Sequence, residues 1–118
     1  ENLLESSAEK RLVETIKTYI LSNYDNDINL NDVAENVACS RSHITKVFKN
    51  VTSQTILQYL VDVRVNKAKT LLPHKSVTET AFEVGFNNSA YFSTVFKKQT
   101  GLTPKEYQSR AEVHESGA

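Results

Sequence analysis

EVGFNNSAYFSTVFKKQTGLTP, residues 83–104, reads as the end of one helix, a tight turn and a second helix. The turn is Gly85-Phe86-Asn87-Asn88. After it, Phe92, Val95 and Phe96 recur at three-to-four spacing, which predicts one apolar helix face. The mouth of that helix is small or polar: Asn87, Asn88, Ser89 and Ala90. Lys97 and Lys98 fall near its end, and Gly101 suits the left-handed residue that closes a helix. Thr103-Pro104 then opens a last short helix, with Thr103 as N-cap and Glu106 three residues on. Three aromatics directly behind the polar mouth are expected to hold the helix down while the small residues face outward.

The same sentence is written earlier in the chain. Val47-Phe48-Lys49 matches Val95-Phe96-Lys97. Stepping back from them, Thr45 aligns with Ser93, Ile44 with Phe92, His43 with Tyr91 and Ser40 with Asn88. In the preceding short helices Leu30 aligns with Val77, Ala34 with Ala81 and Val37 with Val84, so the second turn is one residue longer. Each copy is a short helix, a turn and a second helix with a polar leading edge, the layout of a helix-turn-helix. Ala34 and Ala81 supply the small residue that two closely packed helices need. A generic bundle with two chance-similar helix pairs is the competing reading; the shared Val-Phe-Lys, caps and alanines argue against it.

Around these copies the chain is helical throughout. Leu12, Val13, Ile16, Tyr19 and Ile20 predict an amphipathic helix over about 9–23. Asn29 caps the first short helix, Ser40 a helix of about 41–50, and Ser76 the second short helix. Between the copies, the apolar pattern from Ile56 to Leu72 predicts one long helix over about 53–72, stopped before Pro73. Twenty helical residues span about 30 Å, close to the ~34 Å between successive major grooves on one face of B-DNA. The predicted organisation is all-α: a linker or frayed start at 1–8, a first helix-turn-helix subdomain at 9–52, the linker helix, a second subdomain at 73–110, and a disordered tail at 111–118.

Charge is segregated although the chain of 118 residues is formally neutral. Residues 1–38 carry three bases against eight acids, while 39–75 carry seven bases against Asp62 alone. A phosphate backbone responds to local field within a Debye length of about 8–10 Å, so the middle segment is a candidate nucleic-acid footprint. A solvated helix face is the bland alternative. One cysteine, Cys39, excludes an intrachain disulfide and suits a reducing compartment. No apolar run reaches the roughly 20 residues that cross a bilayer, so no membrane partner is expected. Neither a glycine-rich phosphate loop nor a nucleophile motif is present, and an enzyme is not expected. Cys39 and His43 are four apart and could share a helix face as metal ligands, but no second pair accompanies them; no cofactor or metal is expected.

With those residues in hand, the chain resembles the DNA-binding domain of the AraC/XylS family of bacterial transcription regulators, from about Val13 to Gln108. VGFNNSAYFSTVFKKQTGLTPKEY at 84–107 is similar to the family's signature region, RVNKAKTLL at 64–72 to its linker helix, and INLNDVAENVACSRSHITKVFK at 28–49 to its first reader. The resemblance implies seven helices, with both second helices in the major groove. Carried over by position, Ser42, Thr45 and Lys46 fall where the first reader touches bases, and Ser89, Ala90, Ser93 and Thr94 where the second does. Arg41, Ser40, Lys49, Asn88 and Lys97 are assigned to phosphates, although Lys97 and Lys98 equally suit the negative end of the helix dipole. Chemistry agrees for Lys46, a donor to guanine O6 or N7, and for Thr45, which can pack on a thymine methyl. Three residues depart from the family: Thr94 replaces a frequent arginine, Ala90 a frequent serine, and Ser53 the glycine that usually ends the first reader. The first unit is therefore expected to carry most of the base specificity.

The implied partners are double-stranded promoter DNA and RNA polymerase, in the cytoplasm. The acidic leader and the absence of an initiating Met suggest an N-terminal effector or dimerisation domain outside these residues. The competing class is a helical protein-interaction module whose polar helix edges dock a partner without DNA.

Overall fold

The computed structural model describes residues 3–116, with side-chain surroundings for 7–111. Among the described residues there are seven helices and no strand: α1 (Leu3–Asn23), α2 (Leu30–Val37), α3 (Arg41–Thr52), α4 (Ile56–Leu71), α5 (Val77–Glu83), α6 (Ser89–Thr100) and α7 (Pro104–Ser116). The chain divides into two compact units between Asp62 and Val63, inside α4.

In the first unit α1 packs on α2 and α3, and α2 on α3. Val13, Ile16 and Ile20 line the buried side of α1, opposite the solvated side that carries Arg11, Glu14 and Thr18. Val33 and Ala34 of α2 and Ile44, Val47 and Phe48 of α3 complete this core. The Tyr59 ring meets Phe48 edge-on at 5.7 Å and carries the Lys17 ammonium 5.6 Å from its centroid. Burial, and then the Glu14 carboxylate, push the Tyr59 phenol above its usual range, because both disfavour a phenolate.

The second unit repeats the plan. α5 packs on α6, and α6 on α7. Val65 and Ala68 of α4 and Leu72 just after it are buried, the counterparts 52 residues on of Val13, Ile16 and Ile20. Phe96 meets Tyr107 edge-on at 5.5 Å, as Phe48 meets Tyr59. Gln108 donates from Nε2 to the carbonyls of Leu72 at 2.9 Å and Lys75 at 2.7 Å, serving oxygens of the turn between α4 and α5.

The duplication runs further than the helix-turn-helix pairs. Thr52 donates to the Phe48 carbonyl at 2.7 Å and accepts from the Gln54 N–H at 3.1 Å. Thr100 does the same with Phe96 at 2.8 Å and Leu102 at 3.2 Å. Ser53 and Gly101 then turn left-handed, at φ 64° and 83°. Thr55 with Gln58, and Thr103 with Glu106, form reciprocal caps on the next helix. This cap explains why α4 starts at Ile56 rather than near 53: residues 52–55 are occupied in closing one helix and opening another. Its 16 residues span about 24 Å, shorter than the expected rod.

At the ends, residues 3–8 and 111–116 are helical, where a frayed start and a disordered tail were expected. The remainder of those two stretches, residues 1–2 and 117–118, lies outside the described residues.

Candidate nucleic-acid interface

Helix α3 begins at Ser40, whose backbone is extended (φ −73°, ψ 155°) and whose Oγ accepts from the His43 N–H at 3.1 Å. Helix α6 begins at Asn88, whose Oδ1 accepts from the Tyr91 N–H at 3.0 Å. Both caps satisfy an amide that the first helical turn leaves open. Ser40 and Asn88 are exposed, and among the described residues the Asn88 amide Nδ2 has no hydrogen-bond partner.

Behind each cap, one face is buried. Ile44, Val47 and Phe48 seat α3; Phe92 and Phe96, both 0% exposed, seat α6. Opposite, Ser42, Thr45, Lys46 and Lys49 follow one another at helical spacing and are all exposed, with Arg41 exposed beside them. The matching stripe on α6 is Ala90, Ser93, Thr94 and Lys97; Ser93 is half-buried and the rest are exposed. Ser89, aligned with Arg41, is half-buried. Each polar edge is therefore open to solvent.

The two stripes differ in what they offer. Arg41, Lys46 and Lys49 put three cations on or beside the first, whereas the second has Lys97, with Lys98 to one side. Thr94 turns its hydroxyl back to the Ala90 carbonyl at 3.1 Å, which uses up its proton and leaves only acceptor capacity. Lys49 donates to the Ser53 carbonyl at 3.2 Å, so this lysine also serves the end of its own helix. Arg64, one of the seven bases of the middle segment, lies with its guanidinium 5.6 Å over the Phe86 ring.

One sequence expectation needs correction. Phe92 and Phe96 hold α6 down, but Tyr91 does not: it is 56% exposed and touches the protein through an edge contact with Phe86 at 5.9 Å. Its position shows why, since at 100° per residue Tyr91 is a quarter-turn or more out of phase with Phe92 and Phe96. The anchor of this turn is Phe86, 3% exposed and packed against Phe92 at 5.2 Å. Cys39 sits in the turn before Ser40, with its thiol toward the Val37 carbonyl, so it shares no helix face with His43. No group of His, Cys, Asp or Glu among the described residues could hold a metal ion.

Comparison with known proteins agrees with this layout. A family model described as a helix-turn-helix domain matches residues 33–110. An HTH-type transcriptional regulator of Pseudoalteromonas carrageenovora, from the cgkA 5' region, is 53% identical over 97 residues, covering 82% of this chain and 58% of the relative. The chain thus spans little more than half of that relative's length. The C-terminal domain of AraT, a response regulator from Geobacillus stearothermophilus, superposes with a TM-score of 0.80 at 29% identity and 84% coverage of both chains. The DNA-binding domain of AdpA, solved in complex with a target DNA, shares the fold at a TM-score of 0.82 and 23% identity, over 90% of this chain and 97% of that one. The chain belongs to the helix-turn-helix family of AraC-type transcription regulators.

Proposed function

We propose that this chain binds double-stranded promoter DNA sequence-specifically, as the reading part of a bacterial transcription regulator in the cytoplasm. The observation that carries the reading is the pair of matched, solvent-open stripes on α3 and α6, each backed by a buried apolar face. A major groove about 12 Å wide admits one such helix, and small polar residues at its mouth leave the approach clear. Residues 9–52 and 73–110 serve as the two reading subdomains, with α4 between them, and α3 and α6 enter successive major grooves. Solution of AdpA with its target DNA supports the same kind of partner.

Within this scheme the first reader does most of the discrimination. Lys46 donates to guanine, Thr45 and Ser42 bond or pack on neighbouring base edges, and Arg41, Ser40 and Lys49 hold phosphates. On α6, Ser89, Ala90, Ser93 and Thr94 face the bases with short side chains, while Asn88 and Lys97 hold the backbone. With Ala90 apolar and the Thr94 proton committed to its own helix, readout by the second unit leans on DNA shape and deformability. RNA polymerase, and an effector or dimerisation domain elsewhere in a longer polypeptide, complete the regulator.

Selection of duplexes from a random pool, followed by titration at several salt concentrations, tests this. Affinity should fall as salt rises, since released counterions drive the association. Lys46→Ala should cost about 1–3 kcal/mol and relax the preference at one base position. No binding to any duplex at about 50 mM salt, where even nonspecific association is strong, would instead favour a protein-docking module.

A further inference from the structure

The stripe assigned to base reading leaves one flank of α6 unexplained. Tyr91 and Lys98 are seven residues apart, two turns along the same side, so their Cα atoms are separated by about 10.5 Å along the axis. Both are exposed, and both lie to one side of Ala90, Thr94 and Lys97. Among the described residues the Tyr91 hydroxyl has no hydrogen-bond partner, and Lys98 forms no ion pair. The charge of Lys97, by contrast, is felt by the Glu106 carboxylate.

Burial accounts for only part of the presence of a tyrosine at 91. A fully buried aromatic side chain contributes about 1.5–3 kcal/mol, and Tyr91 as a residue is 56% exposed. What the fold does supply is aim. The ring is held edge-on to Phe86, which is itself buried against Phe92. Its backbone amide is fixed by the Asn88 cap.

We infer that Tyr91 and Lys98 form a phosphate-gripping rail on the second reader, with the Tyr91 hydroxyl donating to one backbone phosphate and the Lys98 ammonium neutralising another. A phenol O–H donates well to an anionic oxygen. A phosphate is favoured over a base because the rail lies beside the stripe that faces the groove floor. The second unit is then an anchor that grips the backbone, while the first reads. This inference rests on the DNA-binding reading above and adds a contact that the stripe alone does not contain.

The test uses the whole chain with two probes: the best duplex selected from a random pool, and a random-sequence duplex of equal length. Tyr91→Phe keeps the ring and its Phe86 contact, so the melting temperature should not move. Its affinity should drop about tenfold on both duplexes, as for loss of one charge-assisted hydrogen bond, with base preference unchanged. Lys98→Ala should lower the salt slope by about 1, whereas Tyr91→Phe, which removes no charge, should leave the slope alone. Wild-type affinity in Tyr91→Phe overturns the rail. So does a loss confined to the selected duplex, which would make Tyr91 a base reader. If the wild-type chain binds neither duplex, the DNA-binding reading itself falls, and the rail with it.

Discussion

Ala38 and Gly85 occupy the same place in the two halves of the molecule, the left-handed residue that ends the first helix of each helix-turn-helix. Ala38 sits at φ 56° and Gly85 at φ 105°. In each, the next amide reaches back to the same carbonyl: Cys39 N–H to Ala34 at 3.1 Å, and Phe86 N–H to Ala81 at 2.9 Å. Ser53 and Gly101 form a second such pair. The second half therefore uses glycine at both left-handed corners, and the first half uses glycine at neither. A left-handed L-residue costs roughly 1–2 kcal/mol, so the first half tolerates strain that the second avoids. The reverse holds in the core. Val33 and Thr80 are equivalent and both buried, but the Thr80 hydroxyl has no hydrogen-bond partner among the described residues. Backbone geometry in such a unit is set by the closing hydrogen bonds and packing, and the side chain at a corner only decides how much strain is stored.

That contrast can be broken most forcefully in the core. Val33→Thr would bury a hydroxyl in the first half and should destabilise the chain by about 1–3 kcal/mol in denaturant unfolding. Thr80→Val should stabilise it by about 1–2 kcal/mol, since the orphaned hydroxyl disappears at nearly constant volume. If Thr80→Val is neutral, a hydrated hydroxyl replaces the orphan and the asymmetry shrinks.

Exchanging the corners sharpens the backbone side. Ser53→Gly should stabilise by about 0.5–1 kcal/mol, and Gly101→Ser should destabilise by about 1 kcal/mol. A Cβ at Gly101 would meet no atom within 4 Å, so any loss there is conformational and not a clash. Unequal magnitudes would measure how far the Lys49–Ser53 contact already supports the left-handed serine.

The smallest expected effect is acid sensitivity. The Ser76 hydroxyl and then its N–H hold the Glu79 carboxyl below the usual range, and the Thr103 N–H and then its hydroxyl do so for Glu106. A carboxyl whose folded value is depressed contributes fully above its unfolded value and loses that contribution as pH falls through the folded one. Thermal stability should therefore decline across the carboxylate range, between about pH 5 and pH 3. Glu79→Gln with Glu106→Gln should flatten this decline slightly while keeping an acceptor at each cap. Equal slopes in variant and wild type would show that these exposed caps do not govern it. The corresponding cap of α4 uses Gln58, which does not titrate, so this one pair of equivalent caps is sensitive on the second-half side alone.

Much of this was legible in the residues because the signals are local. Asn29, Ser40, Ser76, Asn88 and Thr103 are all caps in the structure, since a short polar side chain needs only its own next three residues to do that work. The repeat was legible through Val-Phe-Lys and the paired alanines. Its continuation is carried by Thr52, Thr55 and Tyr59, which recur as Thr100, Thr103 and Tyr107; Gln58 for Glu106 and Ile56 for Pro104 interrupt the match, and the shared hydrogen bonds show it to be one turn used twice. Tyr91 differs from its aromatic neighbours in helical phase, which places it outside the buried face.

From the chain alone come the all-helical character, the twofold recurrence and the polar mouths of two helices, because spacing and capping act over a few residues. Tertiary structure alone decided that an alanine and a serine adopt left-handed corners, that Phe86 rather than Tyr91 anchors the second turn, and that a threonine hydroxyl is shut away from water. Those outcomes depend on what surrounds each side chain after distant segments meet, and no short-range pattern contains that.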